Sequence, residues 1–235
     1  MRKIWPEKVS SLCKAVLLLP ALSTVLSASA QQVYLNPYSY TVNKKTQCSN
    51  AAVVSAHPMA SQVGLYILQK GGNAVDATIA TQLALAVVYP GAGNLGGGGF
   101  MVAHLADGRN ISLDYREKAP ALASRDMFLD AAGNPIPGLS EESHLASGVP
   151  GTVAGLFAAM KYAKLSFKKL IQPAIDLADK GFAITAEQAE ALNENRGAFL
   201  KMNTARNAFV RDVPWHIGDI LVQKELASTL KRIRD

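Results

Sequence analysis

A run of four glycines, Gly96–Gly99, constrains the fold of this chain more than any other feature. Glycine has no Cβ atom, so other backbone or a ligand can approach each of these positions closely, and a positive φ is allowed there. The run follows a stretch, residues 74–89, whose side chains are small or apolar almost all round, which predicts a buried helix. A strand is predicted directly after it, at 100–105. The glycines are therefore expected to form a tight helix-to-strand crossing through the core.

The spacing Gly91-Ala-Gly-Asn-Leu-Gly96 also matches a dinucleotide-binding fingerprint. That fingerprint needs a strand before the glycines and a helix after them, so that the pyrophosphate sits at the helix N-terminus. Here the predicted order is reversed. No Lys-Ser or Lys-Thr follows the glycines, so a phosphate-binding loop of the Walker type is excluded as well.

A hairpin is predicted around Asp107-Gly108, and its second strand covers 110–115. A short polar cluster of Asp114, Arg116 and Glu117 lies at the end of that strand. Alternation along that strand places Asp114 and Arg116 on the same face. A guanidinium can hold a carboxylate through two parallel hydrogen bonds, and Asp114 or the adjacent Glu117 could fix it in place. The pattern alone leaves a second interpretation open, an ordinary structural ion pair among these three charges.

The remaining pattern predicts an α+β layered fold, because strands and helices do not alternate regularly. A further strand is predicted at Ala51–Ala56, and Gly71-Gly72 and Asn73 are expected to end one helix and cap the next. The other predicted helices cover residues 59–69, 152–162, 167–180, 186–200 and 222–234.

Residues 1–30 resemble a secretory leader, with a basic start, a twelve-residue apolar run and a small-residue cleavage site at Ala28-Ser29-Ala30. Cleavage after Ala30 predicts a periplasmic or secreted protein, with an extended arm at 31–50 and one domain at 51–235. The apolar run is too short for stable membrane insertion. Cleavage removes four basic residues and one acidic residue, so the formal charge falls from +6 to +3. The remaining Lys and Arg form no basic stripe, which argues against nucleic-acid binding.

No metal or other cofactor is expected, since the four histidines are single and widely spaced. Ser55 lies near His57, and Ser143 precedes His144, but adjacency in sequence says little about geometry in space. No residue of the chain is therefore assigned a catalytic role. Cys48 is the only cysteine after cleavage, so no internal disulfide is predicted.

Four motifs together resemble the γ-glutamyltranspeptidases, also called glutathione hydrolases. They are Gly71–Ala77, Pro90–Phe100, Leu113–Pro120 and Ser147–Gly155, within a likeness that runs from about Ala51 to Asp235. The resemblance implies part of an N-terminal-nucleophile hydrolase fold of the αββα type, namely the N-terminal portion of the large subunit. It also implies that Arg116 binds the α-carboxylate of a γ-glutamyl substrate such as glutathione.

In that family a threonine becomes the first residue of a smaller subunit by self-cleavage and attacks the γ-glutamyl amide, with its own amine as base. The threonines of this chain are not in the matching context. The last predicted helix ends at Asp235 without a cap, so we expect a chain truncated before the nucleophile, whose partner is the small subunit. Two alternatives stay open: a truncated, non-catalytic secreted relative, and a related amidase or acylase acting on glutaryl-type side chains.

Overall fold

The computed structural model describes residues 47–235, so the predicted leader at 1–30 and the predicted arm up to residue 46 lie outside the described residues. Residues 51–56 are irregular, and the strand predicted there is wrong. The reason is the absence of a neighbour, since no strand within 47–235 pairs with this segment. Val54 is 91% exposed, whereas Val53 is half-buried beside Gly64.

The first two helices meet at the Gly71–Ala77 motif. Helix α1 (Pro58–Gln69) is followed by Gly71, whose φ of +87° lies in the left-handed region that favours glycine. Asn73 caps α2 (Ala74–Val88) through a capping box in which Asn73 and Asp76 each accept a hydrogen bond from the other's backbone N–H. The predicted helix stop and cap are both confirmed.

Helix α2 is the centre of the core and packs against α1 and α4. Eleven of its fifteen residues are buried, as its apolar sequence predicts. A buried helix end needs partners for its last carbonyls. Two distant side chains supply them, since the Gln223 and Gln188 amides donate to the carbonyls of Val87 and Val88 at 2.8 and 2.6 Å.

Strands β1 (Phe100–His104) and β2 (Asn110–Asp114) form the predicted antiparallel hairpin, with Gly108 in its turn at φ +85°. Phe100 faces Asp114 across the pair. Met101 and Leu113 pack against the helical core, whereas Phe100 and Val102 on the other face are 63% and 83% exposed.

The C-terminal half is mainly helical. Its elements are α3 (Thr152–Ala159, continued by a 3₁₀ turn at Met160–Tyr162), α4 (Phe167–Lys180), β3 (Phe182–Ala183), α5 (Ala186–Glu194), α6 (Arg196–Met202), β4 (Ile220–Leu221) and α7 (Lys224–Arg234). The helix predicted at 186–200 is broken at Asn195. Helix α7 begins at Lys224, two residues later than predicted, after a short strand ladder in which Leu221 pairs with Phe182.

Helices α4 and α7 are also joined by charge. Asp179 accepts hydrogen bonds from Lys224 Nζ at 2.7 Å and Lys231 Nζ at 3.0 Å. These two lysines, Lys224 foremost, lower the pKa of the Asp179 carboxyl to about 2.

The chain thus has the predicted α+β fold, and the region between β2 and α3 is largely irregular. Within residues 47–235, none of the helices combines the length and the apolar character needed to cross a membrane.

Candidate substrate-binding site

The glycine run packs directly on the backbone that leaves β2. A Cβ atom on Gly98 would lie 2.7 Å from the Cα of Arg116 and 2.8 Å from the nitrogen of Glu117. None of Gly96–Gly99 has a φ in the left-handed region. These glycines therefore serve the close approach of two backbone segments, as predicted. The crossing does not run through the core, however, since Gly96 is exposed and Gly97, Gly98 and Gly99 are only half-buried.

A second glycine loop lies against the same segment. Lys118 and Val149 exchange backbone hydrogen bonds of 3.1 and 2.8 Å, and a Cβ on Gly148 would lie 3.1 Å from Cβ of Glu117. Any side chain on Gly151 would collide with the carbonyl oxygen of Tyr115. The stretch that carries Arg116 is therefore held between two loops that come from motifs about fifty residues apart.

Tyr115 fixes the base of this stretch. Its backbone N–H donates to the Gly99 carbonyl at 3.0 Å, and its hydroxyl donates to Gln82 Oε1 at 3.2 Å. Its ring fills the space left by the missing side chains of Gly99 and Gly155. Helix α2 contacts Tyr115 through Gln82, helix α3 through Gly155, and the glycine run through Gly99. The backbone position of Arg116, the next residue, is therefore well defined.

Arg116 lies two residues beyond the end of β2 and is exposed. Its guanidinium carbon is 5.8 Å from the centre of the Phe100 ring, within cation–π range. Within residues 47–235 it forms no ion pair. Asp114 Oδ1 accepts the backbone N–H of Arg116 at 3.0 Å and does not contact the guanidinium. The suggestion that Asp114 or Glu117 fixes the guanidinium fork is therefore wrong, and so is the alternative of a structural ion pair.

Two residues that the sequence analysis assigned no part in the site join the glycine loop to α3. Asn94 Oδ1 accepts hydrogen bonds from the Gly97 N–H at 3.1 Å and from the Thr152 hydroxyl at 2.6 Å. The Gly97 carbonyl in turn accepts the N–H groups of Gly151 and Thr152 at 2.9 and 3.0 Å. The sequence signal for this contact was an asparagine, Asn94, inside a glycine-rich loop. Its partner, Thr152, could not be identified without the fold.

A cavity of about 430 Å³ opens beside Glu117. Its walls include the apolar side chains of Met127, Phe128 and Leu145, together with polar Ser147. Glu117 and Lys118 line this cavity, whereas Arg116 does not.

The serine–histidine neighbours form no catalytic pair. The Ser55 hydroxyl donates to the backbone carbonyl of His57 at 2.9 Å, and the Ser143 hydroxyl donates to the carbonyl of Leu139. The His57 ring is buried, and its Nδ1 accepts the Met59 N–H at 3.2 Å. Burial lowers the pKa of His57, which favours the neutral ring. Across residues 47–235, no three His, Cys, Asp or Glu side chains are grouped so that they could hold a metal ion.

Comparison with known families matches residues 60–235 to the γ-glutamyltranspeptidase profile. This chain belongs to the γ-glutamyltranspeptidase family. A glutathione hydrolase proenzyme from Pseudomonas sp. (strain A14) is 49% identical over 187 residues, which are 78% of this chain and 32% of that protein. One from Escherichia coli (strain K12) is 44% identical over 206 residues, covering 85% of this chain and 36% of that protein.

Solved structures agree on the fold. The γ-glutamyltranspeptidase of Helicobacter pylori is similar with a TM-score of 0.77 and 49% identity, over 81% of this chain and 55% of that one. A cephalosporin acylase from Bacillus halodurans is similar with a TM-score of 0.65 at 23% identity, over 83% of this chain and 39% of that one, a likeness of fold alone. The α+β fold is thus part of an N-terminal-nucleophile hydrolase fold. The chain spans about a third of the length of the curated relatives it matches.

Proposed function

We propose that this chain forms part of a γ-glutamyl hydrolase and transferase that acts on glutathione and other γ-glutamyl amides, and that Arg116 binds the substrate's α-carboxylate. The observation that carries the proposal is the exposed guanidinium of Arg116, which has no carboxylate partner within residues 47–235 although Asp114 and Glu117 are close in sequence. A charged fork that the protein itself leaves unpaired is available to a ligand.

The surroundings of Arg116 support this role. The segment is held by the glycine loop at Gly98 and by the Lys118–Val149 pairing, so its backbone is fixed before a ligand binds. A backbone that is already ordered lowers the entropy cost of binding, although the exposed Arg116 side chain still loses rotamer freedom when it binds an anionic group.

The nucleophile is proposed to come from outside these 235 residues. The chain matches about a third of the length of the two glutathione hydrolase proenzymes. The word proenzyme in their names fits a protein that is cut to become active. The partner of this segment is then a second subunit that carries an N-terminal threonine, whose hydroxyl is activated by its own amine. We further propose export to the periplasm or the exterior, on the strength of the leader-like residues 1–30.

The test compares Arg116→Ala and Arg116→Lys in the active protein that contains this segment, with a γ-glutamyl anilide as donor. One charge-assisted hydrogen bond contributes about 1.5–3 kcal/mol, so loss of a fork that makes two should raise KM by at least roughly 10- to 150-fold. Arg116→Lys should restore only part of the lost affinity for the donor, because lysine keeps the positive charge but lacks the planar fork. Arg125→Ala is the matched control, since Arg125 is an exposed arginine that pairs only with its neighbour Asp126.

A donor whose α-carboxylate is replaced by an amide completes the design. The unmodified protein should bind this donor about as poorly as Arg116→Ala binds the normal one. An Arg116→Ala protein with an unchanged KM, or one that still discriminates between the two donors, would show that the carboxylate is held elsewhere.

A further inference from the structure

The connection between Asn94 and Thr152 links two loops that are 58 positions apart in the chain. Thr152 is fully buried, and its hydroxyl donates to Asn94 Oδ1, which also accepts the Gly97 N–H. Together with the two N–H groups that reach the Gly97 carbonyl, this fixes the peptide groups on both sides of Gly97. Gly97 thus has little freedom to move relative to the start of α3.

The next residue transmits that restraint. Gly98 lies so close to Tyr115 and Arg116 that a Cβ there would be 2.6 Å from the Tyr115 oxygen and 2.7 Å from the Arg116 Cα. Since no ion pair from the described part of the chain holds the Arg116 guanidinium, the direction of its side chain depends on the backbone beneath it and on the Phe100 ring. A shift of the glycine loop would therefore shift the base of Arg116.

We propose that Asn94 and Thr152 are positioning residues for Arg116, acting through Gly97 and Gly98. This inference rests on the proposed function of Arg116. The Thr152 hydroxyl then helps to fix the position of the Arg116 guanidinium, in addition to any contribution that this hydroxyl makes to stability.

The test uses Thr152→Val, which removes the hydroxyl and keeps the shape, and Thr152→Ser, which keeps the hydroxyl. Loss of one hydrogen bond should raise KM for a γ-glutamyl donor about threefold to tenfold with little change in kcat, and serine should restore KM to within about twofold. Asn94→Ala, in a half-buried loop, should give the same KM effect and serves as the second measurement if Thr152→Val folds poorly.

Thr81→Val is the matched control. Thr81 is also a buried threonine, but its hydroxyl has no hydrogen-bond partner among residues 47–235, so the same chemical change should leave KM unaltered. A purely structural role for Thr152 would lower the amount of folded protein and would leave the KM of what remains unchanged.

Two further comparisons separate this inference from the proposed function. The Thr152→Val effect should vanish with a donor that lacks the α-carboxylate, and also when Arg116 is already alanine. If Arg116→Ala raises KM but Thr152→Val and Asn94→Ala do not, or if they affect both donors equally, the positioning inference is wrong while the assignment of Arg116 stands. If Arg116→Ala itself leaves KM unchanged, the proposed function of Arg116 fails first.

Discussion

Asp76 offers the clearest test of how this fold is held together. Its carboxylate is fully buried and accepts backbone N–H groups from Asn73 at 2.7 Å and from Lys164 and Leu165 at 3.0 Å each. One side chain thus caps α2 and binds the loop before α4 to the same helix end. Replacing it perturbs three backbone donors at once.

The expected loss follows from the number of donors. Each buried donor left without an acceptor costs roughly 1–3 kcal/mol, so Asp76→Ala should lower the free energy of unfolding by about 3–9 kcal/mol, with entering water favouring the lower half of that range. Asp76→Asn keeps one acceptor oxygen, which can still serve Lys164 and Leu165. The free energy of unfolding of Asp76→Asn should therefore fall by only about 1–3 kcal/mol, because the backbone N–H of Asn73 is the one donor left without an acceptor. A domain is typically stable by about 5–15 kcal/mol, so the alanine variant should be close to unfolding.

Urea unfolding followed by circular dichroism measures both losses. The control is Asp126→Ala, because Asp126 is exposed and its side chain pairs only with the adjacent Arg125, so its effect should stay within about 0.5 kcal/mol. Equal losses for the asparagine and alanine variants would refute the reasoning from donor count. An alanine variant within about 1 kcal/mol of the parent would show that the three contacts contribute little.

Two other features give further predictions. Gly155→Ala should lower the free energy of unfolding by about 1–2 kcal/mol despite the better helix propensity of alanine, because its Cβ would collide with the Tyr115 ring. Gly197→Ala, in a helix with open space around it, should instead raise the free energy of unfolding by about 0.5–1 kcal/mol. A Gly155→Ala variant that is more stable than the parent would contradict the close packing against Tyr115. The lowered pKa of Asp179, about 2, means that its stabilisation is present above the usual carboxyl pKa and is lost as the pH falls towards 2. Urea unfolding between pH 6 and 2 should therefore be less pH-dependent for Asp179→Asn than for the parent, and parallel curves would show that its two lysines do not couple to folding.

Local signals predicted the helices and the hairpin well. The Gly71 stop, the Asn73 cap and the Asp107-Gly108 turn each depend on the conformational preference of one or two residues, which a sequence reports directly. The Ala51–Ala56 strand failed for the opposite reason. A short apolar run becomes a strand only when another strand pairs with it, and none within residues 47–235 does.

Long-range polar contacts could not be predicted either. Gln188 and Gln223 lie 100 and 136 positions from the carbonyls that they bind at the end of α2, and nothing in a local pattern links such partners. Asn94 and Thr152 are a similar case within the site itself. The sequence indicated the motifs that meet at the site, whereas the side chains that join those motifs became visible only in the fold.

Arg116 shows why composition and spacing were not enough to choose between a binding site and an ion pair. Asp114, Arg116 and Glu117 are consistent with either, because a carboxylate two residues away on the same face can reach the guanidinium or the backbone. In the structure, Asp114 Oδ1 accepts the backbone N–H of Arg116, in the manner of an Asx turn at the end of β2. That hydrogen bond involves one carboxylate oxygen and helps to fix the backbone from which the guanidinium projects, while the guanidinium itself contacts neither oxygen of Asp114. The choice between the two interpretations therefore depended on where the Asp114 side chain points, which the spacing of the three charges does not specify.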